Sequence, residues 1–461
     1  MKFNKKLAVA VSGAVLIMAG QFALADSTTD IVDALVSKGV LTEEEGKLIT
    51  KGAKSQKEAQ DKAIKGKLSI SGAFDNASLY GDIRVRHETR WSTAQNSPLI
   101  DYTRNRERYK ITFGVKTETG NWYSDLAFAM GSTGRSDNAT IGSAPSVSSA
   151  AWSNPTNGDN NKEILYVKRA MVGWKATDWL TLEAGRMANP FYTTEMVWDK
   201  DLTMEGADAK FNFKAGDAKI FVTGAAIQYK GDSKIYSGTG AGADTFTNEV
   251  VIGQVGIESP LTADLSGKAA VTYYKYGNVA GNFAPTFSGA AALGGNVTGT
   301  NNLEIFEIPA ELNYKFSSKY GVKLFGDFAY NADADQRRTL AGYDAQKQSG
   351  DDRAYMLGLE LKSQEGKKEV AGDWVIKGWW QATGMFALDP NAVDSDFFDS
   401  KINMKGGIFK GQYAIADNVF FNTAYGHGSK YGNGQTAGVG GDTSYNLKNY
   451  DLLQLDLTYK F

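Results

Sequence analysis

The stretch Asn449–Phe461, NYDLLQLDLTYKF, alternates between apolar and polar residues over most of its length. One face carries Leu453, Leu455, Leu457, Tyr459 and Phe461, and the opposite face carries Gln454, Asp456, Thr458 and Lys460. A period of two is that of a β-strand, because successive side chains of a strand point to opposite faces. The stretch therefore predicts a strand with one apolar side and one polar side.

The same alternation begins at Leu79 and continues through most of the chain. The first two predicted strands contain the alternating runs Leu79–Val85 and Tyr109–Val115. Fourteen more strands are predicted near residues 121–131, 163–176, 179–187, 204–214, 218–231, 249–259, 266–277, 302–316, 321–331, 352–362, 374–388, 402–414, 418–428 and 449–461. The total of sixteen is even, and each strand is about as long as a tilted crossing of a bilayer requires.

The predicted connections alternate in length along the chain. Tight turns, such as Thr177-Asp178, follow even-numbered strands, whereas long polar loops follow odd-numbered strands, at 131–162, 278–300, 332–351 and 429–448. Short turns on one side and long loops on the other are typical of outer-membrane barrels. The predicted fold class is all-β, a 16-stranded antiparallel transmembrane β-barrel over residues 68–461 with a short helical segment before it.

Composition excludes several other classes of protein. The 461 residues carry a formal net charge of −2, no cysteine and two histidines. A balanced charge argues against a nucleic-acid-binding protein, and the lack of cysteine excludes disulfide scaffolds and thiolate metal sites. Two histidines provide few side chains for imidazole catalysis or for a His-rich metal site. No apolar run of about 18 residues follows the N-terminus, so no transmembrane helix is expected there.

The N-terminal residues have the pattern of a secretory signal peptide over residues 1–25. Lys2, Lys5 and Lys6 precede the apolar run Leu7–Gly20, and Ala23-Leu24-Ala25 forms an A-x-A cleavage site. A retained membrane anchor is the alternative interpretation. The apolar run is short for a spanning helix, which favours the signal peptide.

Residues 26–67 are the one stretch in which helical spacing recurs. Thr42 and Glu45 form a capping box for a short helix that continues through Ile49. The segment Ala53–Lys67, rich in Lys, Gln, Glu and Ala, is predicted to be a linker or a frayed helix rather than a short coiled coil. We expect residues 26–67 to form a periplasmic helical and linker segment.

A β-sheet that spans the hydrocarbon of a membrane must close into a barrel. Each unpaired backbone N–H or C=O costs several kcal/mol in lipid, so an open sheet edge is not viable and the first strand must pair with the last. The apolar face then meets the lipid and lipopolysaccharide of an outer membrane, while the polar face lines water. Aromatic residues near strand ends, such as Tyr123, Trp174 and Tyr459, are expected to form interfacial girdles. The terminal Phe461 is the residue that the barrel-assembly machinery is expected to recognise.

A family resemblance rests first on residues 185–206, in which GRMANPF is followed by WDKDLTMEG. This pattern resembles the putative porin family of Gram-negative outer-membrane proteins, and the resemblance extends from about residue 79 to the end. Supporting segments are Phe325–Asn331, Gly372–Trp374 and Asp394–Phe397, and Asp30–Ile49 is similar to the helical lead before such barrels. The resemblance implies a passive diffusion channel for small hydrophilic solutes and a homotrimeric assembly, and it names no solute.

Charged residues occupy the inward positions of the first two predicted strands. The acidic pair is Asp82 and Glu88, and the basic set is Arg84, Arg86, Arg90, Arg104, Arg106, Arg108 and Lys110. Like charges on neighbouring strands repel, and rings of charge commonly set pore selectivity. One interpretation is a basic ladder that attracts anions. The alternative is that acids from an inserted loop or from the far wall neutralise these residues.

Acidic residues are available for either interpretation. The third long connection, Ala188–Thr203, carries Glu195, Asp199 and Asp201, with Glu205 just after it. In sixteen-stranded porins this loop commonly folds into the lumen, so fold analogy predicts an acidic constriction opposite the basic wall. The far wall contributes Glu258, Glu307, Glu311, Asp327 and Glu360 on inward parity. Glu107 falls on the lipid-facing parity, which requires either a place at the outer rim or a bulge.

The sequence predicts no catalytic residue, metal site or cofactor. His87 and His427 fall on the lipid-facing parity near the outer rim, where neither suits catalysis. Asn331, Asp333 and Asp335 could approach a calcium ion, but the remaining ligands of a calcium loop are absent, which favours a solvated turn. Two functional alternatives stay open, a channel selective for phosphate or other small anions and a secreted β-rich adhesin or receptor without an open lumen.

Overall fold

The computed structural model describes residues 42, 74–94, 102–130, 137–142, 165–229, 235–237, 244–246, 249–277, 302–341, 347–363, 369–432, 437–438 and 447–461. The predicted signal peptide, residues 1–25, lies outside the described residues. The predicted helical segment, residues 26–67, also lies outside them except for Thr42. Both stay predictions.

Sixteen antiparallel strands form one closed sheet, as the alternation of residues predicts. Their bounds are β1 Asn76–Ala94, β2 Tyr102–Thr119, β3 Trp122–Met130, β4 Leu165–Lys175, β5 Leu180–Ala188, β6 Thr203–Ala215, β7 Ala218–Gln228, β8 Glu249–Pro260, β9 Leu265–Tyr276, β10 Glu304–Glu307 continued by Ala310–Lys315, β11 Tyr320–Asn331, β12 Arg353–Ser363, β13 Trp374–Thr383, β14 Met404–Ala416, β15 Val419–Lys430 and β16 Leu447–Lys460. Consecutive strands pair throughout, so the sheet is an up-and-down barrel.

Closure joins the first strand to the last. β1 pairs with β2 on one side and with β16 on the other, in a register that sets Asp82 opposite Lys460 and Arg86 opposite Asp456. At the end of this seam, the Gly81 N–H donates to the Phe461 carbonyl at 2.9 Å, and the Phe461 N–H donates to the Gly81 carbonyl at 3.0 Å. The sheet therefore has no open edge at the seam, as hydrocarbon requires.

One strand is interrupted without losing its place in the sheet. Pro309 has no N–H to donate, and it divides β10 into two segments. The neighbouring strands still pair across the break, because the Ala270 N–H donates to the Pro309 carbonyl at 3.1 Å and the Ile308 N–H donates to the Phe328 carbonyl at 2.8 Å. The register on either side is continuous, so the inward and outward parity of β10 is unchanged.

The outer surface of the barrel is apolar, and aromatic residues lie near the strand ends. Exposed outward residues near the turn ends include Trp122, Trp174, Trp179, Phe316 and Tyr459. Tyr123 is an exception to the predicted girdle. It faces inward, where its hydroxyl donates to the Glu183 carboxylate.

The upper part of the interior, next to the long loops, differs from the purely polar lining that the sequence predicts. Inward residues of the wall such as Met187, Met204, Tyr274 and Met356 are buried together with residues of inserted loops. A short helix, α1, covers Ala334–Leu340 in a long loop. Among the described residues, none of the helices combines the length and apolar character needed to cross a membrane.

Candidate functional site

The third long loop, residues 189–202, lies inside the barrel against the wall formed by β10 and β11. The Thr193 hydroxyl donates to Oε1 of Glu307 at 2.5 Å, and the Thr194 hydroxyl donates to Oδ2 of Asp327 at 2.5 Å. Buried polar groups need hydrogen-bond partners, and each hydroxyl supplies one to a buried carboxyl group. Two far-wall residues predicted to line the lumen therefore hold the loop in place.

A second inserted loop, residues 384–403, was not expected. It is held from the opposite wall, where Asp396 pairs with Arg86 at 3.1 Å and Asp399 pairs with Arg90. The strand predicted over residues 374–388 ends at Thr383. The apolar residues after Thr383 fill the lumen instead of facing lipid, which explains why the alternation misled the prediction.

Aromatic residues fix this second loop against β15. The rings of Phe397 and Phe398 stack with centroids 4.0 Å apart, and they lie over Gly426 and Gly428. A Cβ atom at either glycine would overlap one of these rings. Phe398 has a φ of 62°, in the left-handed region that residues with a side chain seldom adopt. The absence of side chains at Gly426 and Gly428 thus makes room for the loop.

The two loops are joined to each other inside the lumen. The Asp199 N–H donates to the Ala392 carbonyl at 2.7 Å, and the Ser395 N–H donates to the Asp199 carboxylate at 2.9 Å. Residues 189–202 and 384–403 therefore form one connected obstruction, which we call the strap. It reaches from β10 and β11 on one wall to β1 on the other.

The predicted basic ladder is built around a buried carboxylate. Glu88 is fully buried. It accepts hydrogen bonds from Arg90 Nε at 2.9 Å, Arg106 Nε at 2.6 Å and Arg108 Nη1 at 3.4 Å. Three cations around one anion leave an excess of positive charge that other acids must offset.

Those acids come from β16 and from the strap. Arg86 donates to both carboxylate oxygens of Asp456, at 2.7 and 2.8 Å, in the bidentate geometry that arginine favours. Four arginines and four carboxylates thus form one network, Arg86, Arg90, Arg106, Arg108, Glu88, Asp396, Asp399 and Asp456. The geometry matches the alternative in which an inserted loop neutralises the ladder.

The other three predicted ladder residues also face inward. Arg84 Nη1 lies 3.7 Å from the Asp456 carboxylate, and Lys110 Nζ lies 3.5 Å from that of Asp137. Arg104 is half-buried at an inward position near the outer end of β2. All seven predicted basic residues are therefore on the lumen side of β1 and β2.

The predicted constriction acids have separate partners. Glu195 accepts from Lys410 at 2.6 Å and from Lys200 at 2.9 Å, so it faces β14 instead of the arginines. Asp201 lies 3.9 Å from Lys110 and is the acid of this loop that approaches the predicted basic wall. The carboxylate of Asp199 accepts the hydrogen bond from the Ser395 N–H within the strap.

Glu205 is not part of the constriction. It lies on the outer surface of β6, where it pairs with Arg186 of β5. Its neighbour Met204 and, three residues on, Asp208 are buried on the inward parity, so the pleat of the strand turns Glu205 outward. Its inclusion with the loop acids is therefore corrected.

The strap brings carboxyl groups close together, and their pKa values diverge. Burial, together with the charges of Glu195 and Asp199, raises the pKa of Asp394 to about 7. Burial alone would also raise the pKa of Asp396, but Arg86 and neighbouring arginines hold that pKa well below its usual range. One strap carboxyl therefore titrates near neutral pH, while another stays charged.

The remaining far-wall acids lie lower on the wall. Lys323 Nζ lies 3.3 Å from the Glu360 carboxylate and 4.0 Å from that of Glu311. Glu258 is exposed near the turn end of β8. The far wall is therefore a row of mixed charge and not a purely acidic surface.

A cavity of about 190 Å³ lies between the strap and this part of the wall. Its charged lining combines Glu195, Glu311 and Glu360 with Lys323 and Lys377, and Trp379 adds an aromatic surface. Both signs of charge meet in a space of small-molecule size.

Residues 93–302 match the sequence profile of the putative porin family. This range includes the motif at residues 185–206 on which the resemblance was based. Over this range the chain is similar to the putative porins. The predicted resemblance is confirmed.

No curated protein matches this chain. Solved structures that are similar to it include a five-substitution variant, a two-substitution variant and a triple mutant of the Rhodopseudomonas blastica porin. Their sequence identities are 11%, 10% and 10%, and their TM-scores are 0.39, 0.40 and 0.39. In each comparison 84% of this chain and 100% of the other chain are covered.

The closed barrel and the family match indicate a porin-like channel rather than an enzyme. The two histidines, His87 and His427, face outward, each beside a carboxylate. Asn331, the first of the considered calcium ligands, uses its side chain to hold backbone groups, including the Phe386 carbonyl at 2.7 Å. Asp335 pairs with Arg338. In the described part of the chain, no cluster of three or more histidine or carboxylate side chains is arranged for a metal ion.

Proposed function

We propose that this protein is an outer-membrane diffusion channel for small hydrophilic solutes and ions, and that the strap sets its narrowest passage. The observation that carries the proposal is the attachment of Thr193 and Thr194 to Glu307 and Asp327 inside a closed barrel. A sixteen-stranded barrel is wide enough to hold an aqueous channel. An inserted loop then reduces the passage to the size of small solutes.

Weak ion selectivity follows from the pairing of the lumen charges. The most deeply buried arginines of β1 and β2 are matched by carboxylates, and the cavity beside the strap carries both signs of charge. A paired charge attracts a passing ion far less than an isolated one. We therefore propose a general passage in place of a binding track for phosphate or other small anions.

Orientation follows from the connections. Short turns join the strands at one end of the barrel and long loops at the other, an arrangement that supports a periplasmic location for the turns and the N-terminal segment. The lipid and lipopolysaccharide of the outer membrane would then surround the wall, with the strap near the external mouth.

Conductance in planar lipid bilayers tests this proposal. The purified protein should show discrete open steps with a reversal potential near zero in a salt gradient. The double variant Thr193→Val and Thr194→Val removes the two hydroxyl donors at nearly constant shape, so the strap should loosen and conductance should rise with more current noise. Thr423→Val on the outer surface of β15 is the matched control and should leave the current unchanged.

The same recordings separate the rival functions. Current block by micromolar to millimolar phosphate would favour an anion-specific channel and contradict the proposal. A folded protein without open steps would favour a secreted adhesin or receptor. An unchanged conductance in the double variant would show that the strap does not limit the passage.

A further inference from the structure

Inward residues of β11 to β14 form two rows beside the strap, each row running from strand to strand in register. The row nearer the turns is charged and consists of Lys323, Glu360, Lys377 and Lys410. The next row toward the long loops is apolar and consists of Phe325, Gly358, Trp379 and Ile408. The cavity of about 190 Å³ is lined by members of both rows and by strap residues 192–195. A solute in this cavity therefore meets charged groups on one side and apolar groups on the other.

One lysine of the charged row has no acid as a close partner. Lys377 and Lys410 are directly opposite each other on β13 and β14, and like charges in such positions repel. Lys410 donates to the Glu195 carboxylate at 2.6 Å. In the part of the chain that the structure describes, no carboxylate oxygen lies within 4.0 Å of Lys377 Nζ. Lys377 therefore brings an unmatched positive charge to the cavity.

The carboxylates of the cavity have the opposite imbalance. Glu360 and Glu311 share one ammonium group, that of Lys323, at 3.3 and 4.0 Å. Lys268 is opposite Glu311 in register, but its Nζ lies 4.3 Å from the centroid of the Tyr192 ring, and Lys268 is not part of the cavity lining. Two carboxylates with one ammonium between them leave one negative charge in excess.

These two charges select the class of ligand. A simple anion or cation would match one of them and leave the other without a partner, whereas a zwitterion matches both. Glu360 and Lys377 are directly opposite on neighbouring strands, where Cα atoms are about 4.5–5.5 Å apart. The two charged groups of the ligand must therefore be close together, as they are in an α-amino acid, which carries both on one carbon atom.

The apolar row favours an apolar side chain on the ligand over a sugar ring. Sugars stack on open aromatic faces, but Trp379 is only 6% exposed. The ammonium groups of Lys377 and Lys410 lie 5.2 and 5.0 Å from the centroid of its ring. Phe325 and Met356 complete the apolar part of the lining, where they can contact an aliphatic side chain.

We propose that this cavity binds one free α-amino acid with an apolar side chain during its passage through the channel. The ligand carboxylate lies toward Lys377, and the ligand ammonium lies toward Glu311 and Glu360. The inference rests on the proposed function, because the solute enters the cavity from the lumen. Binding is weak, since a conducting site must also release its solute.

Current interruptions in planar bilayers test the predicted ligand class. L-leucine is compared with 4-methylpentanoate and 3-methylbutylamine, which keep its side chain but carry only the carboxylate or only the ammonium. Millimolar L-leucine should interrupt the single-channel current of the wild type. Each of the other two compounds should need a concentration at least tenfold higher. Equal potency of either one would overturn the proposal, because one charge would then be sufficient.

Two variants test the residues that hold the charges. Lys377→Met and Glu360→Gln each remove one charge at similar length, and each should raise the concentration of L-leucine for half-maximal interruption about tenfold. Lys116→Met is the matched control, because Lys116 is an exposed inward residue of β2 outside the cavity lining. Its response to L-leucine should be that of the wild type. The same loss in both lysine variants would overturn the proposal, because it would reflect the charge of the lumen as a whole.

A binding measurement that does not depend on conduction separates this inference from the proposed function. Saturation-transfer NMR on the full chain in detergent should show transfer to the methyl protons of L-leucine, and Lys377→Met should abolish it. A wild type that conducts but shows neither transfer nor interruptions would overturn the site and leave the channel intact. A wild type that shows transfer without open steps would support the site and contradict the channel.

Discussion

The Asp199 carboxylate accepts a hydrogen bond from the Ser395 N–H at 2.9 Å, across 196 residues of sequence. Its other oxygen accepts from the Asp201 N–H at 2.9 Å. Asp199 is 2% exposed, so its loss would leave buried backbone donors without their acceptor. This one side chain holds the second inserted loop to the first.

Asp199→Ala should therefore loosen the strap without opening the barrel. We expect a loss of about 1–3 kcal/mol in the free energy of unfolding, together with larger and noisier single-channel currents. Asp178→Ala, in an exposed turn, serves as the control and should behave like the wild type. Currents of wild-type size and noise in the Asp199 variant would contradict the role given to this contact.

The arginines of β1 should act on stability more than on selectivity. Arg86→Gln leaves Asp456 and Asp396 without their bidentate and bridging partner. Removing one member of a buried ion pair costs about 3–5 kcal/mol, which thermal unfolding in detergent would register. Arg186→Gln, on the outer surface, should cost less than about 1 kcal/mol. A large shift of reversal potential toward cations, with stability unchanged, would instead restore the basic ladder as a selectivity device.

Strap docking should weaken as pH rises toward neutrality. Burial and the carboxylates of Glu195 and Asp199 raise the pKa of Asp394 to about 7 from an ordinary value of 3.8, against the opposing charge of Lys410. Asp394 therefore keeps its proton in the docked loop at pH values where it would be ionised in a released loop. The free energy that favours docking decreases as the pH rises from about 4 to about 7, and it is constant above that range.

Current noise measured from pH 5 to pH 8 checks this dependence. Noise should increase up to about pH 7 in the wild type, because deprotonated Asp394 repels its neighbours. Asp394→Asn cannot ionise, so its noise should not follow the same course. A wild type with identical noise at both ends of the range would show that Asp394 does not control docking.

A methyl group on β15 should displace the second inserted loop. In Gly428→Ala, the added Cβ overlaps the Phe398 ring, and the cost of overpacking is about 1–3 kcal/mol. Gly253→Ala is the control, because nothing lies within 4 Å of the Cβ position there. Proteolysis of the folded protein should cut residues 384–403 faster in the first variant only, and equal rates would argue against this packing.

The alternation of apolar and polar residues predicted the strands and the inward or outward direction of their side chains. It does so because outward residues face hydrocarbon and inward residues face water. Arg86 and Glu88 on β1, and Glu307 on β10, face inward as their positions predict. The interrupted strand at Pro309 was also placed within one predicted segment, because the break does not shift the register.

The contacts of the strap could not be predicted from periodicity, because they join segments that are distant in the sequence. Nothing local in the sequence indicates that Asp396 meets Arg86, 310 residues away. A signal was nevertheless present. Three acids, Asp394, Asp396 and Asp399, crowd a short connection between two strands, and such a cluster could have supplied the charge that the arginines require. The apolar residues Met385 to Leu388 led instead to the prediction of a longer strand. Residues buried inside the lumen and residues exposed to lipid are both apolar, so a hydropathy pattern does not distinguish them.

The strap has its two supports on strands that face one another only in a finished cylinder, with Thr194 held by β11 and Asp396 held by β1. Contacts between such distant segments form slowly, since the intervening chain must be ordered first. The strap should therefore form late in folding, after an intermediate with a wider and more conductive lumen. Trp198, buried within the strap, offers a fluorescence signal whose change would lag behind the appearance of β-structure.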